Sequence, residues 1–442
     1  MCALRTTTAS RSLDRPDADP TAEHPASAPA RPRRRLPRWS ELKPLVQLEP
    51  VDVRPGRRRL QRAATVTDLR EAAARRVPRP VFEFVDGGAE AEITQRRARA
   101  AFEGLEFRPR MLGGVDGVDT STSLFGQQLS LPLVLGPTGF CRLVQHEGET
   151  AVARAAGAAG IPFALTTMGT VSIEDVAAAG GAGGNHWFQL YVLRDRGLTR
   201  ELVQRAKAAG YGALVVTVDT AVIGQRLRDV RNGFSIPPRL TPRALVDIAA
   251  RPAWWANLLT TAPLGFATIP AGQPEAHGAF IDNAFDPTIS YRDLETLREM
   301  WDGPLIIKGV QRVDDAVRAA DAGADGIVLS AHGGRQLDRS PVPLELLPQV
   351  TEAVGDRLDI LLDSGVRSGA DVAAAVALGA RACLVGRPYL YGLMAGGQAG
   401  VEKTIQIFRD ELRRTMSLLG CSTVGDLTPD LVRLNSHPPL AP

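Results

Sequence analysis

The sequence lacks the features that mark several large classes of protein. Its four cysteines, Cys2, Cys141, Cys383 and Cys421, do not have the close spacing of metal ligands, so we expect no metal site and reduced thiols. No segment approaches the ~20 uninterrupted apolar residues of a membrane-spanning helix. The N-terminus has no apolar core of a signal peptide, which predicts a cytoplasmic protein. A net charge of +3 over 442 residues argues against nucleic acid as a partner.

The N-terminal extension lacks the apolar residues of a folded core. Residues 1–36 are rich in Pro, Ala, Arg, Ser and Asp, with a basic run at 31–35. Because so little apolar surface cannot offset the entropy of ordering, we expect residues 1–60 to be disordered and one domain to span 61–435. The basic run is a solvated tail on the simpler interpretation and a membrane-surface contact on the other. Thr67-Asp68 predicts the start of the first helix.

From residue 130 onward, short apolar runs alternate with alanine-rich helical stretches such as 149–159, 199–209, 313–322 and 370–378. The apolar runs are 131–135, 161–165, 187–190, 213–218, 305–307, 326–329, 358–362 and 382–385. Eight strand–helix units predict a closed (β/α)8 TIM barrel of the α/β class, with its active site in the loops after the strands. No Gly-x-Gly-x-x-Gly follows any run, which argues against NAD.

The ends of the last four predicted strands carry charged groups. Gly365 and Arg367 follow the seventh run, and Gly386 and Arg387 follow the eighth, where such barrels bind phosphate. Either glycine could serve only as a turn, but the two loops together favour a phosphate site. Lys308 ends the fifth run, and a buried lysine requires an anionic partner.

The segment 330–338, Ser-Ala-His-Gly-Gly-Arg-Gln-Leu-Asp, follows the apolar run 327–329. His332 can take up a proton near neutral pH, and Arg335 can bind a carboxylate through two parallel hydrogen bonds. On local features alone, a histidine beside two glycines is more often a turn residue than a base. The combination points to proton abstraction from an anionic substrate.

This nonapeptide differs at one position from the Ser-Asn-His-Gly-Gly-Arg-Gln-Leu-Asp motif of the FMN-dependent α-hydroxy acid dehydrogenases and oxidases. The chain resembles that family from about Val66 to about Leu434, and most closely its membrane-associated lactate and mandelate dehydrogenase branch. The resemblance implies FMN as cofactor and a small 2-hydroxy acid as substrate. By the same resemblance, the cofactor residues are Pro137, Thr138, Gly139, Thr166, Gln189, Thr217, Lys308, Asp363, Gly365, Arg367, Gly386 and Arg387.

The resemblance also implies roles around the substrate. His332 is the candidate base, for the hydroxyl proton in a hydride route or for the α-proton in a carbanion route. Asp219 matches the carboxylate that orients this histidine, although it could instead cap the next segment. Arg226 joins Arg335 on the substrate carboxylate, with Arg228 as the candidate if the register shifts by two residues. Tyr191 matches a tyrosine that hydrogen-bonds the substrate.

Two positions depart from the family pattern. Phe84, in the N-terminal lid segment 77–90, stands where a carboxylate-binding tyrosine is usual, and Ala331 replaces the asparagine of the motif. A lost hydroxyl removes about 0.5–3 kcal/mol of binding, depending on whether its partner is charged. We therefore expect a preference for a larger or more apolar acid, and lactate itself is in doubt.

A long insertion, 236–283, separates the fourth and fifth strands. It contains Trp254-Trp255, several leucines and Arg251, a composition that suits a bilayer interface, with an apolar lid or an oligomer contact as the alternative.

The favoured function is oxidation of a lactate-like L-2-hydroxy acid by a peripheral membrane dehydrogenase that passes electrons to quinone. The segments 283–287 and 301–304 resemble those of the lactate dehydrogenases. One alternative is a soluble oxidase that uses oxygen on a larger or aromatic acid, and another is a flavin-binding protein without turnover. The resemblance implies a homotetramer, and its membrane-associated branch implies attachment at the inner face of the cell membrane.

Overall fold

The computed structural model describes residues 35–45, 55–181, 184–233, 242–269 and 285–435. The chain divides into two compact units, Met1–Val51 and Asp52–Pro442. In the first unit, a helix at Trp39–Leu42 continues into a 3-10 turn at Lys43–Leu45. Most of the extension expected to be disordered lies outside the described residues, so that expectation stays a prediction. The expected boundary after residue 60 falls within the helix Pro55–Arg62.

Eight parallel strands form a closed barrel, as the apolar runs predict. They are β1 Leu133–Leu135, β2 Phe163–Thr166, β3 His186–Leu190, β4 Ala213–Thr217, β5 Leu305–Val310, β6 Gly326–Leu329, β7 Asp359–Leu362 and β8 Ala382–Val385. The ring closes where Cys383 of β8 pairs with Leu133 of β1. Both faces of these strands are buried, which explains why they appear in the sequence as continuous rather than alternating apolar runs.

Besides the apolar core between the barrel and its helices, a second apolar core fills the barrel interior. It takes one or two side chains from every strand, among them Val134, Trp187, Val215 and Leu361. A hairpin of Thr122–Leu124 and Gln127–Leu129 adds Leu124 and Leu129 to this core, and Phe125 at its turn packs against Trp187. The hairpin contacts the N-terminal ends of the strands, so the opposite rim is left for a ligand.

Helices surround the barrel. They are Cys141–Val144, Gly148–Ala159, Ile173–Gly180, Arg196–Ala208, Tyr291–Met300, Val313–Asp321, Pro343–Val354, Gly369–Ala377, Arg387–Gly396 and Gln398–Leu419. Short 3-10 turns occupy His332–Gly334, Val424–Asp426 and Pro429–Leu431, and Glu106–Phe107 pairs antiparallel with Val432–Arg433.

After the helix Pro55–Arg62, three more helices precede the barrel, at Val66–Arg76, Arg79–Asp86 and Ile93–Glu103. The helix Val66–Arg76 begins one residue before the predicted Thr67, because Thr65 and Asp68 form a reciprocal capping box. The second of the three, which we call the lid helix, ends at the rim formed by the carboxyl ends of the strands.

The described part of the insertion is helical at Pro242–Ala249 and Pro252–Leu259, and a short helix at Leu227–Asn232 precedes it. Trp254 anchors it, because its indole N–H donates to the carbonyl of Leu143 at 2.8 Å. Val246 and Leu259 are instead 73% and 75% exposed. No helix in the described ranges is long and apolar enough to cross a membrane.

Candidate active site

A cavity of about 560 Å³ opens at the carboxyl ends of the strands, under the lid helix. Of the predicted site residues, it is lined by Phe84, Pro137, Thr138, Gly139, Thr166, Tyr191, Thr217, Arg226, Lys308, His332, Arg335, Asp363, Gly365, Arg367, Gly386 and Arg387. The other two lie directly behind the lining: Gln189 accepts a hydrogen bond from Thr166, and Asp219 accepts one from His332. The structure therefore brings the whole predicted set to one place.

The backbone at His332 is unusual. His332, Gly333 and Gly334 have φ angles of 53°, 63° and 72°, a left-handed run that non-glycine residues seldom adopt. Two hydroxyls hold the loop: Ser330 Oγ accepts from the amide of His332 at 3.0 Å, and Ser364 Oγ accepts from the amide of Gly333 at 3.0 Å. These contacts fix the loop although Ala331 carries no polar side chain.

His332 has one partner on each side of its ring. Nδ1 lies 2.9 Å from Asp219 Oδ1, and Nε2 lies 3.5 Å from the Tyr191 hydroxyl. Burial alone would raise the pKa of Asp219, but His332 and Lys308 hold it below its usual value. An ionised Asp219 keeps the proton of a neutral His332 on Nδ1, which leaves the Nε2 lone pair available on the cavity side.

Lys308 already has an anionic partner within the protein. Its Nζ lies 2.9 Å from Asp363 Oδ2 and 2.9 Å from Ser330 Oγ. Burial acts to lower the pKa of Lys308, but the charges of Asp363 and Asp219 raise it above the ordinary value. The ammonium is therefore charged at the cavity wall.

Four arginines line the cavity, in two pairs. Arg367 and Arg387 belong to the loops after β7 and β8, which we call the β7–β8 end, and Arg226 and Arg335 flank the loops after β4 and β6, the β4–β6 end. Among the described residues, none of the four forms an ion pair. Burial lowers the pKa of Arg335 well below its usual value, and burial with the Arg367 charge lowers that of Arg387 to about 10. Such a cavity is built to receive anions at both ends.

Arg387 and Arg226, one from each pair, differ in how they are held. Arg387 donates to the carbonyls of Val85, Gly333 and Gly87 at 3.0, 2.7 and 2.7 Å. Arg226 has a buried Nε with no hydrogen-bond partner in the described structure. Arg228, the alternative candidate, does not line the cavity, because it forms ion pairs with Asp86 and Glu92 at 3.0 and 2.6 Å.

Phe84 lies between the two arginines of the β4–β6 end. The guanidinium carbons of Arg335 and Arg226 are 5.1 and 5.9 Å from the centre of its ring, and its edge packs on Phe140. Cation–π attraction therefore holds both guanidiniums near this ring.

Sequence reasoning missed several lining residues. Phe285 packs on Tyr191 with ring centres 4.4 Å apart, and although it lies in the segment 283–287 that resembles the lactate dehydrogenases, it was not assigned to the site. Asp229 lines the β4–β6 end, where burial raises its pKa against the opposing charges of Arg335 and Arg226. Its spacing of three residues from Arg226, about one helical turn, was a usable signal.

The chain matches a protein family along most of its length. The FMN-dependent dehydrogenase family matches residues 73–434. An L-lactate dehydrogenase of Caulobacter vibrioides is 44% identical over 370 residues, which cover 82% of this chain and 96% of that protein. The crystal structure of the monotopic membrane protein (S)-mandelate dehydrogenase superposes with a TM-score of 0.81 at 36% identity, covering 85% of this chain and all of that one. A mandelate oxidase gives a TM-score of 0.72 at 39% identity, with 83% and 97% covered.

The residues present fit FMN. The β7–β8 end offers two guanidiniums and the first turn of the helix Arg387–Gly396, which suit a phosphate. Gly365 has a φ of 99°, and a side chain there would meet the carbonyl of Ala98. Behind the cavity wall, Gln189 Nε2 is a buried hydrogen-bond donor without a partner in the described structure. The polar edge of the flavin ring would supply an acceptor for such a donor. The chain belongs to the FMN-dependent dehydrogenase family, that of the α-hydroxy acid dehydrogenases and oxidases it resembles in sequence, and its cofactor is FMN.

Proposed function

We propose that the protein oxidises a lactate-like L-2-hydroxy acid to the 2-oxo acid and passes the electrons to quinone. The observation that carries this proposal is that a proton acceptor and two arginines without carboxylate partners among the described residues lie in the wall of one cavity. His332 is fixed by Asp219 at 2.9 Å, and Arg226 and Arg335 lie in the same wall without carboxylate partners among the described residues.

The two arginines would bind the substrate carboxylate. Arg335 gives part of its guanidinium to the carbonyls of Phe84 and Gly87 at 2.6 and 3.1 Å, which orients the remaining donors. Arg226 keeps its Nε free of protein acceptors in the described structure. A carboxylate between them would satisfy both partly buried cations, which accounts for their having no carboxylate partner among the described residues.

The substrate hydroxyl would lie between Tyr191 and His332. Burial, reinforced by the charge of Asp219, raises the pKa of Tyr191 to about 12, so its hydroxyl stays protonated and can donate. His332 Nε2 would take up a proton, and Asp219 would stabilise the resulting imidazolium. The same base serves the hydroxyl proton or the α-proton, so both routes remain compatible with this arrangement.

FMN, when bound, supplies the two-electron acceptor for this oxidation. Arg367, Arg387, Gly365 and Gly386 would hold its phosphate. The remaining residues would line the ring system, namely Lys308, Asp363, Thr166, Thr217, Gln189 and the backbone of Pro137, Thr138 and Gly139.

The wall of the β4–β6 end favours larger acids as well as lactate. Phe84, Phe140, Tyr191 and Phe285 all line the cavity and present aromatic surface. The sequence relative acts on L-lactate by name, and the structural neighbours act on mandelate by name. We therefore expect both lactate and aromatic acids to be oxidised.

The proposed quinone acceptor and membrane contact rest on the insertion. Its described helices expose Leu245, Val246, Trp255 and Leu259. An apolar surface beside tryptophan suits the bilayer interface, where quinones are found. The alternative, a soluble oxidase that uses oxygen, is supported by the likeness to mandelate oxidase. A homotetramer is the expected assembly.

An anaerobic titration of the FMN-loaded enzyme tests the proposal. We expect L-lactate and (S)-mandelate to bleach the flavin and the D and R forms to leave it oxidised. A soluble quinone analogue should reoxidise it faster than air-saturated buffer. Failure of every L-2-hydroxy acid to bleach the flavin would leave a flavin-binding protein without turnover, and faster reoxidation by oxygen would favour the oxidase.

A further inference from the structure

The C-terminal turn of the lid helix holds arginines from both ends of the cavity. The carbonyl of Phe84 accepts from Arg335, and the carbonyl of Val85 accepts from Arg387. The carbonyl of Gly87 accepts from both, at 3.1 Å from Arg335 and 2.7 Å from Arg387. The last carbonyls of a helix have no intrahelical donors and carry partial negative charge, so they suit buried guanidiniums.

Asp86 sits at that turn, and its carboxylate receives four hydrogen bonds. Arg70 donates twice, at 2.6 and 2.8 Å, Arg228 donates at 3.0 Å and the Tyr391 hydroxyl donates at 2.7 Å. Burial opposes its ionisation, but Arg70 and Tyr391 bring the pKa of Asp86 down to about 2. The carboxylate is therefore a fixed charge at every physiological pH.

Two of the residues that donate to Asp86, Arg228 and Tyr391, belong to helices at the two ends of the cavity. Arg228 lies two residues after Arg226, in the short helix for which Arg226 is the N-cap. Tyr391 belongs to the helix that begins at Arg387, and the Arg367 guanidinium lies 5.8 Å from the centre of its ring. The Asp86 carboxylate thus contacts the two helices that begin at or next to Arg226 and Arg387. Arg367, a third cavity arginine, lies against one of them.

We propose that Asp86 is a positioning residue that sets both anion sites at once. By fixing the end of the lid helix, it places the carbonyls that orient Arg335 and Arg387, and through Arg228 and Tyr391 it braces Arg226 and Arg367. This inference rests on the proposed function, because it takes the two anions to be the FMN phosphate and the substrate carboxylate. It assigns no proton-transfer role to Asp86.

The test is Asp86→Asn, which keeps the size and removes the charge. FMN binding to the apoprotein is measured by quenching of flavin fluorescence, and hydroxy acid binding by anaerobic flavin reduction at saturating FMN. We expect both dissociation constants to rise about tenfold or more, as for lost hydrogen bonds to a charged group. The limiting rate of flavin reduction should stay within about threefold, because no reacting group changes.

Asp68→Asn is the matched control. It weakens the capping box of the helix that carries Arg70, and Asp68 lies outside the cavity lining. It should lower the melting temperature while both dissociation constants stay within about twofold, since it loosens the scaffold alone. If Asp86→Asn changes binding no more than Asp68→Asn does, the inference is wrong.

Two further variants keep the test decisive if Asp86→Asn does not fold. Tyr391→Phe should weaken FMN more than the hydroxy acid, and Arg228→Gln should weaken the hydroxy acid more than FMN. If neither variant changed the dissociation constant of either ligand, the inference would be contradicted. A wild-type protein that binds FMN but is reduced by no hydroxy acid would instead contradict the proposed function, and the FMN titrations would still report on Tyr391 and Asp86.

Discussion

The two ends of the cavity are both lined by arginine pairs, but they are constructed differently. At the β7–β8 end, Arg387 is held by three main-chain carbonyls, and the Gly365 loop is tied by its own carbonyl to Arg99 at 2.8 Å. At the β4–β6 end, Arg335 is also held by main-chain carbonyls, but Arg226 lies over the ring of Phe84 and its Nε has no partner in the described structure.

This difference separates ligand binding that depends on the main chain from ligand binding that depends on side chains. Main-chain carbonyls persist through most substitutions, so the β7–β8 end can keep one ligand, the FMN phosphate. The β4–β6 end is walled by side chains such as Phe84, Phe140 and Phe285, which can change without disturbing the barrel. Substrate preference should therefore vary among relatives while the cofactor does not.

The largest effect should come from removing the base at the β4–β6 end. His332→Ala should retain FMN with an unchanged dissociation constant and lower the rate of flavin reduction by about 10²–10⁴-fold, the usual contribution of general base catalysis. Stopped-flow absorbance under anaerobic conditions measures this rate. Reduction within a few-fold of wild type would show that His332 is not the base.

Arg226→Met should separate substrate binding from stability. Because the Nε of Arg226 is buried without a partner in the described structure, we expect a melting temperature that is unchanged or higher. The dissociation constant of the hydroxy acid should rise about ten- to a hundredfold, as one charged contact is lost. A large loss of stability with unchanged substrate affinity would place Arg226 in the scaffold instead.

Phe84→Tyr should have the smallest effect and the most selective one. The added hydroxyl restores a hydrogen bond near the substrate carboxylate, which is worth about 0.5–3 kcal/mol. We expect kcat/KM on lactate to improve relative to that on mandelate. If the ratio does not change, Phe84 does not set specificity, and Phe285, which stacks on Tyr191, becomes the next candidate.

Much of this arrangement was predictable from the sequence, for a physical reason. Parallel strands buried on both faces give continuous apolar runs, so the predicted strand at 213–218 matches β4, Ala213–Thr217. The polar residues that follow the runs had to converge, because the carboxyl ends of the strands share one rim. His332, Lys308, Arg335, Arg367 and Arg387 were therefore expected together, and Arg226 was added to them by the family resemblance.

What the sequence could not predict depends on distant contacts. The choice between Arg226 and Arg228 is made by Asp86 and Glu92, more than 130 residues away, which bind Arg228. The hydrogen-bond partners of Asp86 likewise cannot be read from the lid segment, because Tyr391 lies 305 residues later. The insertion was predicted as a membrane contact, and its anchoring by Trp254 to Leu143 is a tertiary contact without local signal.

The central claim is that the two ends bind different anions, and a crossed titration tests it most directly. Arg387→Lys and Arg335→Lys each keep the positive charge but lose the planar guanidinium, which can donate two parallel hydrogen bonds to one anion. The dissociation constants of FMN and of the hydroxy acid are measured for both. Arg387→Lys should weaken FMN about tenfold or more and leave the hydroxy acid within about twofold, and Arg335→Lys should do the reverse. If each variant weakened both ligands equally, the division of the cavity into two anion sites would be contradicted.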